Sequence, residues 1–67
     1  MKRLRISLET MESDEELEPG DLVELVRLGG PRDGAVMGEG RIIAAADGGI
    51  ELEAPILGGI VPLIRAT

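Results

Sequence analysis

The sequence predicts an all-β fold, a small antiparallel barrel or sandwich of about five short strands. Two observations carry that expectation. Apolar and polar side chains alternate with a period of two, as a half-buried strand requires, first over residues 3–8 and again over residues 50–54. Glycine- and proline-containing turn signals then punctuate the chain at intervals of roughly 8 to 12 residues. The length of 67 residues sets a single domain, residues 1–67, read as an arm over 1–20 that holds the first strand and an irregular acidic loop, and a barrel core over 21–67.

The elements follow in order. Leu4, Ile6 and Leu8 alternate with Arg3, Arg5 and Ser7, which makes the first strand. In "ESDEELEPG", Ser13 and Glu16 have the spacing of a capping box, but Pro19 and Gly20 stop any helix at once, so a loop or a single turn is expected. The stretch "LEPGDLVELVRLGGPRDG" admits two readings. Asp21 could cap a short helix with Glu24 reaching back, Leu22, Leu25, Val26 and Leu28 facing inward, and Gly29 ending it. Alternatively, Pro19, Gly20 and Asp21 turn the chain into a strand that runs through Leu28. The strand is preferred, because so short a helix is weak in isolation and the flanking glycines suit connected strands. Its apolar residues fall on both faces, as in a strand covered on two sides.

Residues 29–40 hold five glycines in twelve positions and are expected to form a Gly-rich loop or a heavily bulged edge. The clearest hairpin comes next, where Asp47, Gly48 and Gly49 separate two apolar runs. After it, Ile50, Leu52 and Ala54 point one way while Glu51 and Glu53 point the other. Pro55 interrupts this strand, Gly58 and Gly59 form another turn, and "IVPLIRA" is the last strand, confined to an edge or a bulge by Pro62. "GGIELEAPI" and "GGIVPLIRA" share little beyond a turn followed by isoleucine, so no internal repeat is assigned.

Composition removes most functions open to a small domain. With no Cys and no His the chain has no disulfide and no thiolate or imidazole metal site, which leaves association as the brace a core this thin needs. Without Phe, Tyr or Trp it lacks the faces on which proline-rich peptides, bases or methylated ammonium groups stack. A net charge of −6 repels phosphate backbones and anionic lipid, so neither nucleic acid nor membrane is an expected partner. The start "MKRLRISLET" lacks the apolar centre of a signal peptide, and the expected place is the cytoplasm or a virus particle made there.

Charge is unevenly spread. Residues 1–8 carry Lys2, Arg3 and Arg5 without an acid, whereas residues 9–26 carry eight acids without a base. A first strand followed by a solvated acidic loop explains this, and the functional reading is an arm whose basic start docks on the acidic stretch of another copy.

Motifs for chemistry are missing. The sole lysine, Lys2, lies far from the glycines, so no phosphate-binding loop exists, and "GEGRII" lacks the third glycine of a dinucleotide fingerprint. Ser7, Thr10, Ser13 and Thr67 have no neighbouring base. Asp14, Glu16 and Glu18 match the first alternating ligands of a calcium loop, but Pro19 stands where glycine is needed and Leu25 where the closing acid belongs. Asp14, Glu15, Glu16 and Glu18 are therefore read as a solubilising loop in preference to a weak cation site. No cofactor, no metal and no enzymatic activity are expected.

What remains is surface. Ile56, Leu57, Ile60, Val61, Leu63 and Ile64 crowd the C-terminal third with few charges between them, more apolar area than a thin core hides. Together with Lys2, Arg3 and Arg5 they are the candidate interface. The leading expectation is a non-enzymatic structural or assembly protein that associates with copies of itself or with a larger repeating assembly, such as a virion cement, decoration or connector protein. The alternative is an acidic regulatory module, inhibitor- or antitoxin-like, that blocks a basic site on a target protein.

Overall fold

A computed structural model describes residues 1–66; Thr67, the last of the hydroxyls considered above, lies outside them. The chain forms β1 (Lys2–Ser7), β2 (Thr10–Glu12), β3 (Leu22–Arg27), β4 (Val36–Ala46), β5 (Gly49–Ala54) and β6 (Gly59–Arg65), with one 3-10 turn, Pro55–Leu57, before β6. These strands close into a barrel in the order β1-β2-β6-β5-β4-β3. The all-β barrel is as expected, with six strands in place of about five. Four pairings are antiparallel, while β1 runs parallel to β3 and β2 parallel to β6. Both parallel contacts arise at the N-terminal hairpin, which inserts between the strands that flank it in space, β3 and β6.

Alternation explains which residues turn inward. Leu4 and Ile6 of β1, Val23 and Leu25 of β3, and Ile50, Leu52 and Ala54 of β5 enter one core cluster with Met11, Ile42 and Leu63 from the other strands. Leu17 completes the cluster from the loop between β2 and β3, only 6% exposed. Residues 1–20 are thus part of the barrel wall and core, not an appended arm. Residues 22–27 are strand, which settles the choice between helix and strand; Val26 is buried outside the core cluster, so that strand is covered on both faces at that point.

Leu8 departs from its expected place. The hairpin turns between Ser7 and Thr10, which pair across it, so alternation ends at Ile6 and Leu8 stands in the turn, 96% exposed. The Gly-rich stretch divides as well: residues 36–40 join β4 and pair with β3 across a register shift at Leu25 and Val26. Gly49 is required at the start of β5, since a Cβ there would strike the Leu63 carbonyl oxygen of β6.

The barrel closes beside β6 by a short ladder. Only Thr10 and Met11 of β2 pair with it, opposite Ile64 and Arg65, so residues 59–63 have a ladder partner in β5 alone. Backbone N–H groups of Ile64 and Ala66 donate towards β2, to Glu9 and Met11, while that of Arg65 donates to Gly48. By the same alternation the nitrogen of Pro62, which has no hydrogen to donate, faces the open side. Proline there meets the expectation of an edge position and blunts the edge.

Candidate functional site

Two walls of the barrel carry the residues singled out by sequence. The first is charged. Arg3 and Arg5 project outward from β1; Arg3 Nε lies 3.4 Å from Glu24 Oε1 on β3, and Arg5 Nη2 lies 3.3 Å from Glu12 Oε1 and 3.1 Å from Asp14 Oδ1. Arg5 Nη1 also donates to Asp14 Oδ2 at 3.4 Å, so the guanidinium holds that carboxylate with both arms. Lys2 Nζ donates to Asp21 Oδ2 at 2.8 Å and to the Glu16 carbonyl at 2.6 Å.

These contacts fix the acidic loop. Asp21 also accepts from the Glu18 backbone N–H at 2.8 Å, and the Gly20 N–H donates to the Ile42 carbonyl at 2.7 Å, which ties the loop to β4. The hydrogen bond from Lys2 holds the Asp21 carboxyl below its usual value, with help from the Glu18 N–H, and the bond from Arg5 does the same for Asp14. Reciprocally, Lys2 and Arg5 are held above theirs by Asp21 and Asp14 respectively. Lys2, Arg3 and Arg5 therefore meet acids of their own chain. Asp14 is held by Arg5, and among the described residues no three acids are placed to hold a metal ion.

The second wall is apolar. Ile60 and Ile64 of β6 are 58% and 62% exposed, and Ile56 on the 3-10 turn is 58% exposed. Leu57 and Val61 are half-buried and pack against the core. Leu63 is a correction: at 4% exposed it belongs to the core, because it pairs with Ile50 and alternates with the outward Pro62 and Ile64. Beside β6 lies a hollow of about 470 Å³, lined by Leu57, Val61, Pro62, Leu63 and Ile64 with Leu8 and Glu9 at the hairpin tip, so that the little of Leu63 left exposed borders it. Leu8 was missed as a surface residue, since its apolar character matches the strand alternation and neither Ser7 nor Glu9 signals a turn.

This arrangement offers apolar contact area and carboxylates that are solvated or already paired. Glu51 and Glu53 on β5 flank the stripe of Ile60, Pro62 and Ile64, opposite Pro62 and Ile60 respectively. No helix among the described residues is long and apolar enough to cross a membrane. Comparison with known protein families, with curated proteins and with solved structures finds no match to this chain.

Proposed function

We propose that this protein is a non-enzymatic structural or assembly module that associates, through the wall formed by β6 and the β1–β2 hairpin tip, with copies of itself or with a larger repeating protein assembly. Cement, decoration and connector proteins of virus particles are the setting this reading has in view. One observation carries it: of the 23 Ile, Leu, Val and Met side chains eleven are buried, four are half-buried and eight are exposed, and Leu8, Ile56, Ile60 and Ile64 are among the exposed ones. Re-covering Ile60 and Ile64 contributes about 1 kcal/mol each, a large increment for so small a domain. The near-closed barrel and Pro62 disfavour strand addition as the means of association, which directs it to side chains on the barrel's outer face.

Sedimentation equilibrium at about 100 µM, where a micromolar interface is saturated, tests the reading. The expected result is a species larger than the 7.1 kDa chain that persists in about 1 M NaCl and is lost in the Ile60→Glu/Ile64→Glu double variant. A strict monomer under these conditions removes self-association from the reading.

The acidic alternative keeps one specific support: the exposed Glu15, Glu16 and Glu18 form no salt bridge among the described residues, although Leu17 and Asp14 anchor the loop that carries them. On that reading binding is to a basic target and disappears in salt.

A further inference from the structure

We infer that Leu8 is the knob of a twofold interface between two copies of this chain, each copy seating its Leu8 in the hollow of the other. This rests on the assembly reading above and names the contact that builds the assembly. Leu8 has φ 53°, the sole positive φ at a non-glycine position among the described residues. Glycine, asparagine or aspartate takes that conformation at lower cost, and any of them would close a two-residue hairpin better. The turn is held independently of Leu8, by the Ser7–Thr10 pairing and by Thr10 Oγ1, which donates to the Ser7 carbonyl at 2.8 Å. Within the monomer, then, leucine is unfavourable on two counts, its backbone and its 96% exposure. A surface that covers it supplies the missing reason.

The hollow lies beside it. Leu57, Val61 and Leu63 line the hollow with Pro62 and Ile64, and Leu8, 96% exposed, borders the same space. Knob and hole side by side on one face are what an isologous contact needs, because a twofold axis between them places each knob in the opposite hole. A dimer interface of ordinary size takes about 800 Å² from each partner. That is close to the area of one broad face of a molecule measuring 30 × 26 × 20 Å. Leu8 and Ile64 border the same hollow, and Ile60 stands four residues from Ile64 on the same outward side of β6, within reach of such a footprint. Glu9 follows Leu8, and Glu51 and Glu53 flank the stripe, so like charges meet at the rim of the pair. Salt therefore tightens this interface, the opposite of its effect on a basic partner.

The test compares the native chain with Leu8→Gly, which removes the knob and suits the left-handed backbone. Sedimentation equilibrium is expected to show a dimer that tightens between about 0.1 and 1 M NaCl, as rim repulsion is screened. Leu8→Gly is expected to raise the dissociation constant about 100-fold, with the unfolding midpoint of the dilute monomer unchanged or higher. The chain has no cysteine, so mixing Leu8→Cys with Ile64→Cys under mild oxidation should link the two variants into a covalent dimer. Equal dissociation constants for the native and Leu8→Gly chains overturn the knob-in-hole contact and leave the assembly reading standing. A native chain that remains monomeric overturns the knob-in-hole contact and self-association with it, and a dimer that loosens in salt overturns the twofold arrangement.

Discussion

β3 and β6 stand three places apart in the ring of six strands, and the walls they belong to are finished in opposite ways. On the β1–β3 side each cation of β1 has a carboxylate of the same chain within 3.4 Å, and the loop that supplies two of these acids is pinned by Leu17 in the core. On the β6 side isoleucines and Leu8 face outward around an open hollow. Charge density in the sequence draws attention to the first wall; unmet apolar area in the structure draws it to the second. Ion pairs satisfied within one chain gain little from a partner, whereas exposed apolar surface gains from almost any dry contact.

The largest effect expected is on the charged wall's anchor. Leu17→Ala should destabilise the monomer by about 2–5 kcal/mol in urea unfolding, because it empties a core position and frees the loop at once. A change below about 0.5 kcal/mol would mean that the loop is held by its ion pairs alone and would erase the contrast between the walls. Next comes Gly49→Ala, which forces a methyl group against the Leu63 carbonyl where β5 meets β6. It should cost about 1–3 kcal/mol and weaken association in parallel, since β6 carries the apolar stripe.

Acid titration sharpens the comparison further. Asp14 and Asp21 are held below their usual values, so the stability they contribute is present above about pH 4 and disappears as pH falls through their folded values. Lys2 is held above its usual value, so its contribution is intact through neutrality and is lost only above about pH 10, while Arg5, also held above its usual value, stays charged throughout. Thermal unfolding of the native chain should therefore weaken between about pH 5 and pH 2, and Asp21→Asn should flatten that decline. An undiminished slope in Asp21→Asn would assign the acid sensitivity to other carboxylates. The smallest effect belongs to Arg3→Ala: its contact with Glu24 is long and its side chain is 67% exposed, so the change in stability should stay below about 0.5 kcal/mol.

Part of this was legible before any fold was known. The alternations around Leu4 and Ile6 and around Ile50, Leu52 and Ala54 became β1 and β5, the Asp47–Gly48–Gly49 turn became the β4–β5 connection, and Pro62 lies where its strand has an open side. β2 was not legible, because three residues with a single inward side chain, Met11, carry no periodicity. Leu17 was hidden for a related reason: one leucine among four acids has no pattern, and only closure over it makes it core. The basic start and the acidic run were visible as charges, but not as partners of each other.

Local chemistry by itself determined the strand-and-turn order apart from β2 and the start of β4, the absence of aromatic and thiol side chains, and the excess of aliphatic surface, since each depends on residue type and near neighbours. The tertiary structure decided the two parallel pairings, the folding of the acids onto β1, the burial of Leu63 and the exposure of Leu8. Those outcomes depend on which strands meet once the barrel closes, and contacts between residues far apart in the chain leave no periodic trace in either one's surroundings.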